Sequence, residues 1–309
     1  MASFITHYYM GARVANALQE KSSAIIADNR NAYDIGCQGN DLLFYVFGKF
    51  RGYASLTHTK RTHALFKAMC DYVRASGRDD LRAYLYGYIC HYALDAAIHP
   101  YVIYISGKHL PAFYPEHLHK SLHMLLEGGI DFIILRDYIG QDPKTYRAAE
   151  HFIPCDDKTC ITVADMLYNC VDELYCVPVP YEKLSRMPVR MRRYQSIFEN
   201  TKAMSYKGLL ALGRLGGYPN YVYGFIKPKA EQATEDWMNI SRRSYPCVTG
   251  GSRMINKTVE EIISDSVIAA IDIISAVDES IDNGADLPLS LFPTDFMGYA
   301  IDYSTASSN

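Results

Sequence analysis

Leu85-Tyr86-Gly87-Tyr88-Ile89-Cys90-His91-Tyr92-Ala93-Leu94-Asp95-Ala96-Ala97-Ile98-His99-Pro100 is the stretch whose reading decides the fold. Its apolar and aromatic character is that of a buried helix. His91, Asp95 and His99 fall at four-residue steps, and at about 100° per residue such positions stand nearly above one another. An imidazole, a carboxylate and a second imidazole leaving an apolar helix on one side must be hydrogen-bonded, paired or bound to metal. His123, Glu127 and Asp131 repeat the device on a second helix. Two such helices facing each other would form one site, and neutral imidazole with carboxylate is a donor set that suits zinc.

The totals narrow the setting. The chain has 309 residues, 49% of them hydrophobic, enough for a sizeable core in one large or two small domains. A net charge of −3 supplies no global basic field, so no nucleic-acid partner is expected. The eight cysteines contain no CxxC pair and no regular framework, which fits reduced thiols in a cytosol. Met1-Ala2-Ser3-Phe4-Ile5-Thr6-His7 shows no basic region followed by an apolar run, and no apolar stretch is long enough to span a bilayer. The expectation is a soluble cytoplasmic protein. All ten histidines lie between His7 and His151, so the first half is expected to carry the chemistry and the second to support it.

Read for periodicity, the chain is all-α. Helices are predicted over 7–25, 29–35, about 60–75 with a stop at Gly77, and from Asp79 to Pro100, which ends or kinks the central helix. Residues 46–57 read as loop, and 116–140 as the second site helix. Gly128-Gly129 there admit a close neighbour or a kink. Helical patterns follow at 159–174 and 187–214. Thr258 and Glu261 suggest a capping box for a last helix reaching about Ile281. Residues 1–153 form the expected metal-binding region, and 154–309 a helical region packed on it within the same domain.

His-Tyr-Ala-Leu-Asp at 91–95 and the His123, Glu127, Asp131 series are accompanied by three shorter segments. These are Thr6-His7-Tyr8-Tyr9-Met10-Gly11, Gln38-Gly39-Asn40-Asp41 and Leu56-Thr57-His58. As an ordered set over roughly residues 5–131 they resemble the zinc-dependent phospholipase C family. The resemblance implies an all-helical domain holding two zinc ions, with a third when His7 takes part, and hydrolysing phosphate esters. It implies that His58, His91 and Asp95 hold one ion, with Asp41 beside its water as general base. His99, His123 and Glu127 would hold a second, with His117 or His119 as substitutes for His99. His7, bridging Asp95 and the N-terminal amine would complete a third. Asp131 would orient a liganding imidazole. The implied activity is a phosphodiesterase acting on a phospholipid or a small phosphate ester, with peripheral membrane contact.

General chemistry is consistent with these roles. Zinc lowers the pKa of bound water to about 7, and two ions about 3.5–4 Å apart can clamp the attacking and leaving oxygens at phosphorus. A zinc nuclease or phosphomonoesterase is an alternative, as is a non-catalytic metal-binding module. Asp41 also reads as an N-cap for the apolar run after it. His63, His109, His117, His119 and His151 read as surface or structural, and Glu116 with His119 makes only half of a di-iron motif. Lys183, Arg186, Arg190, Arg192 and Arg193 read as a solvated basic face in preference to a lipid-headgroup contact. Tyr218, Tyr221 and Tyr223 line a cleft or pack.

Overall fold

The computed structural model describes residues 4–46, 50, 52–108, 122–199, 236–247 and 253–305. Its helices are α1 (Phe4–Ala17), α2 (Glu20–Asp28), α3 (Arg30–Gly36), α4 (Tyr53–Thr59), α5 (Thr62–Ser76), α6 (Asp79–Lys108) and α7 (Leu122–Ile133). Further along come α8 (Ala148–Phe152), α9 (Asp157–Leu167), α10 (Glu173–Tyr175), α11 (Tyr181–Ser185), α12 (Met187–Glu199) and α13 (Val259–Asn283). A 3-10 segment, Gly39–Tyr45, follows α3, and π turns prolong α7 over Ile134–Tyr138 and α9 over Tyr168–Asp172. Among the described residues the only sheet is the two-residue antiparallel pair Tyr245–Pro246 with Met254–Ile255. The class is all-α, as the periodicity implies.

The axis of the fold is α6. From Leu81 to Tyr92 nearly every side chain on it is buried, as befits a helix apolar all round. α3 crosses it at a glycine pair. A Cβ on Gly36 would stand 2.3 Å from the Tyr84 carbonyl oxygen, and one on Gly87 2.2 Å from the Tyr33 carbonyl oxygen, so any larger residue at either point would force the backbones apart. On another side lies α13, whose Val259, Ile263, Ala270, Ile274 and Val277 are buried at helical spacing. Its start is the expected capping box, with Glu261 N–H donating to Thr258 Oγ1 at 3.2 Å and Thr258 N–H to Glu261 Oε2 at 2.9 Å. Near its end, the buried Arg82 guanidinium of α6 donates to Asp278 and Asp282. That fork ties the last helix to the central one.

Three helix boundaries differ from the reading of the sequence. The helix expected over 7–25 breaks at Leu18–Gln19, where Gln19 is extended (φ −63°, ψ 160°). Past Ala17 only Ser22 and Ile26 of the next helix are buried. The chain turns there so that Ser22 donates to Asp278 at 2.6 Å. Pro100 does not end α6, which runs on to Lys108. An interior proline costs about 3 kcal/mol, and the burial of Tyr101, Val102 and Ile105 beyond it offsets that. Finally, part of the expected loop 46–57 is the start of α4, because Tyr53, Ala54 and His58 all turn inward.

The basic run is not one solvated face. Arg186 and Arg193 are exposed, whereas Arg190 donates to the Tyr45 carbonyl and Arg192 contacts Cys155 Sγ, each at 3.3 Å. His63 is structural, its Nε2 lying 2.8 Å from the Leu287 carbonyl oxygen. Residues 200–214 of the expected helix lie outside the described residues, as do Tyr218, Tyr221, Tyr223, His109, Glu116, His117, His119 and the N-terminal amine. No described helix is long and apolar enough to cross a membrane.

Candidate metal centre

Five segments converge on one buried centre: α1 brings His7, the 3-10 segment Asp41, α4 His58, α6 His91, Asp95 and His99, and α7 His123 and Glu127. Their potential ligand atoms fall into three groups, each within 4.8 Å: His7 with His91 and Asp95, Asp41 with His58 and His91, and His99 with His123 and Glu127. Asp95 lies between them. Its Oδ1 is 3.2 Å from His7 Nε2 and 3.9 Å from His99 Nδ1, and its Oδ2 is 3.2 Å from His91 Nε2 and 3.7 Å from His58 Nε2. His58 Nε2 is 3.5 Å from Asp41 Oδ1. Glu127 Oε1 stands 3.0 Å from His123 Nε2 and 3.8 Å from His99 Nε2.

These spacings suit a cation. Donors about 2.0–2.1 Å from a tetrahedral ion stand about 3.3 Å apart, close to the separations around Asp95 and Asp41. Two imidazoles carry a further sign. Nδ1 of His7 and Nδ1 of His91 are buried without a hydrogen-bond partner, an expensive state for a polar group unless something else binds it, and Nε2 of His91 faces the Asp95 carboxylate at 3.2 Å. Only His123 is substantially open, with 31% of its side chain exposed against 7% or less for the other imidazoles.

The local sequence explains how each group is held. His58 Nδ1 lies 2.6 Å from its own helix's Ala54 carbonyl oxygen, which turns Nε2 toward Asp41 and Asp95. Gly39 has φ +42°, and a Cβ there would stand 2.2 Å from His91 Cδ2; the chain passes this close to the ring only as glycine. Next to it Asn40 donates to the Thr57 carbonyl at 3.1 Å and accepts from the Tyr88 hydroxyl. Gln38 donates to the Phe4 carbonyl at 3.3 Å. The run Gln38-Gly39-Asn40-Asp41 thereby pins α1, α4 and α6 around the carboxylate of Asp41.

Asp131 acts differently from the expected imidazole contact. Its Oδ1 accepts from Thr6 N at 2.8 Å and Thr6 Oγ1 at 2.6 Å, and its Oδ2 from Ile5 N at 3.3 Å. It caps the start of α1, so it holds His7 through the backbone. The neighbouring glycines also find an occupant: a Cβ on Gly129 would overlap the Trp237 ring, 1.7 Å from Cε3. The close neighbour there is an indole.

Charges within the centre are strongly coupled. Burial pushes the Asp95 carboxyl up, but the imidazoles of His91, His99 and His7 outweigh it and hold it well below the usual range. Glu127 is likewise held low against burial, by His123 and His99 among others, and Asp41 is held low with help from His58 and His91. Burial depresses His99, favouring the neutral ring that a metal requires. His58 and His123 are raised, the pull of Asp41 and Glu127 exceeding the cost of burial. Burial alone accounts for Asp131, pushed up to about 7.

One contact to the centre left no trace in the sequence. His99 Nδ1 lies 2.7 Å from the carbonyl oxygen of Phe296, 197 residues away, and the Phe296 ring packs between His58 and His91.

Fold and site together define an all-helical protein built around a buried, cation-sized cluster of imidazoles and carboxylates. The chain belongs to the zinc dependent phospholipase C family, whose model matches residues 6–178. No curated protein and no solved structure matches the chain. Membership brings a zinc-dependent hydrolase. α12, α13 and the Phe296 loop lie beyond the matched span.

Proposed function

We propose that this chain hydrolyses the phosphodiester of a phospholipid or a related small phosphate ester, with zinc held by His7, His58, His91, Asp95, His99, His123 and Glu127. The observation that carries the reading is the convergence of these seven groups from four separated helices onto one centre, with buried imidazole nitrogens there lacking hydrogen-bond partners. Bound zinc supplies Lewis-acid polarisation of phosphoryl oxygens and water acidified to a pKa of about 7.

The chain's own residues do the rest. Asp95, bridging four imidazoles, sets their relative positions and offsets their charge. Asp41 faces the same space as His58 and His91, where a carboxylate is placed to accept a proton from water. Substrate enters from the His123 side, the most open edge of the cluster among the described residues. Peripheral contact with a lipid surface would accompany a phospholipid substrate.

The test is turnover by zinc-loaded protein of three substrates: a chromogenic phosphocholine diester, a phosphomonoester and single-stranded DNA. Hydrolysis of the diester alone is expected. Preference for the monoester or DNA would replace the substrate class, and turnover of none would leave a non-catalytic zinc module. Asp41→Asn is expected to lower kcat about 10²–10⁴-fold with zinc content unchanged.

A further inference from the structure

The segment after α13 runs back across the molecule and ends against the metal centre, and it does so through bonds that look directed at the ligands. The Tyr92 hydroxyl donates to the Thr294 carbonyl at 2.9 Å. Phe296 N–H donates to the backbone carbonyl of His58 at 3.1 Å, and the Phe296 carbonyl faces His99 Nδ1 at 2.7 Å. Asp295 gives the loop its shape, its Oδ1 accepting from Met297 N–H and Tyr299 N–H at 2.9 Å each. Thr294 and Ala300 pair across the base.

The seat of the loop is the turn of α6 that leads into Pro100. Pro100 has no N–H to offer the Ala96 carbonyl, and at that step Gly298 packs on the helix with φ +79°. A Cβ on it would stand 2.8 Å from the Ala96 oxygen and 2.8 Å from Pro100 Cγ. Only glycine meets both the left-handed conformation and the approach.

We propose that the loop Pro293–Ala300 is the positioning element of the His99–His123–Glu127 metal site. The Phe296 carbonyl accepts a hydrogen bond from Nδ1–H of His99 and so fixes the tautomer that leaves Nε2 free to ligate, while Gly298 on the Ala96–Pro100 turn sets the height of that carbonyl. The same Phe296 anchors the loop on the backbone carbonyl of His58, which fixes where its own carbonyl stands relative to His99. The proposal rests on the zinc-site reading above. A partner that orients a liganding imidazole is worth about 10–100-fold in metal affinity.

The test uses Gly298→Ala, which displaces the loop, and Asp295→Asn, which weakens its internal bonds. Tyr303→Phe removes the hydroxyl bond to the Phe292 carbonyl and loosens the same segment away from His99. Zinc titration of metal-free protein should show one ion bound about 10–100-fold more weakly in the first two variants. The remaining zinc should bind as in the native chain, and Tyr303→Phe should titrate normally throughout. Equal losses in all three variants, or none in the first two, would overturn the proposal. In the native protein, by reciprocity of coupled equilibria, zinc must slow hydrogen exchange at the amides of Phe296, Met297 and Tyr299. Unchanged exchange there would overturn it even if the variants fail to fold. A native chain that takes up no zinc refutes the zinc-site reading itself; native uptake with an indifferent loop refutes only this inference.

Discussion

Gly39→Ala is the sharpest perturbation available at the metal centre. The new methyl would stand 2.2 Å from His91 Cδ2, 2.3 Å from Cγ and 2.7 Å from Cβ. Carbon atoms pack at about 3.5–4.0 Å, so the ring or the 3-10 segment must move by about 1.3 Å. A site held by ligand geometry tolerates about 0.5 Å. Stability falls by two routes. A non-glycine residue at φ +42° costs about 1–2 kcal/mol, and overpacking a buried position adds about 1–3 kcal/mol. The expected loss is therefore about 2–5 kcal/mol in urea denaturation of the metal-free protein. His91 stands with His7, His58 and Asp95, so elemental analysis should show loss of the zinc that His91 helps to hold, with the His99–His123–Glu127 group retained. An alanine variant as stable as the native chain and carrying full zinc would refute the reasoning, because it would mean that His91 can be displaced without consequence.

The remaining predictions concern the frame around the site. Arg82→Ala takes the guanidinium from Asp278 and Asp282, which keep Ser22, Tyr86 and Lys21 as partners, and should cost about 1.5–3 kcal/mol, the range for a hydrogen bond to a charged group. Adding Asp278→Asn should recover part of that in a double-mutant cycle, and strict additivity would argue against the fork. Trp237→Ala empties the space over Gly129 and should cost about 3–5 kcal/mol by circular dichroism; a loss under 1 kcal/mol would contradict the packing. Burial pushes Asp34 up to about 6 despite Arg30, so between about pH 4 and 6 the folded state keeps a proton that the unfolded state has lost. Stability contributed by this group therefore falls as pH rises through that window. The difference between native chain and Asp34→Asn should change by up to about 3 kcal/mol, and a flat difference would count against it.

Much of this molecule is written locally. The four-residue steps of His91, Asp95 and His99 required only the helical period to share one side of α6. The same holds for His123 and Glu127 on α7, for Thr258 and Glu261 as a capping box, and for Gly77 as the residue that stops α5 in the left-handed conformation (φ +61°). Such features depend on neighbours within one turn, so the order of residues suffices to determine them. What the tertiary structure decided are the cases where a distant partner outweighs a local preference. Pro100 is passed over because the apolar residues beyond it are buried. Asp131 turns to the backbone of α1, whose amides at Ile5 and Thr6 lack partners of their own within the helix. His99 receives its orienting carbonyl from Phe296. A bond across 197 residues leaves no period in the chain, and only folding, by bringing the two ends of it together, makes it part of the site.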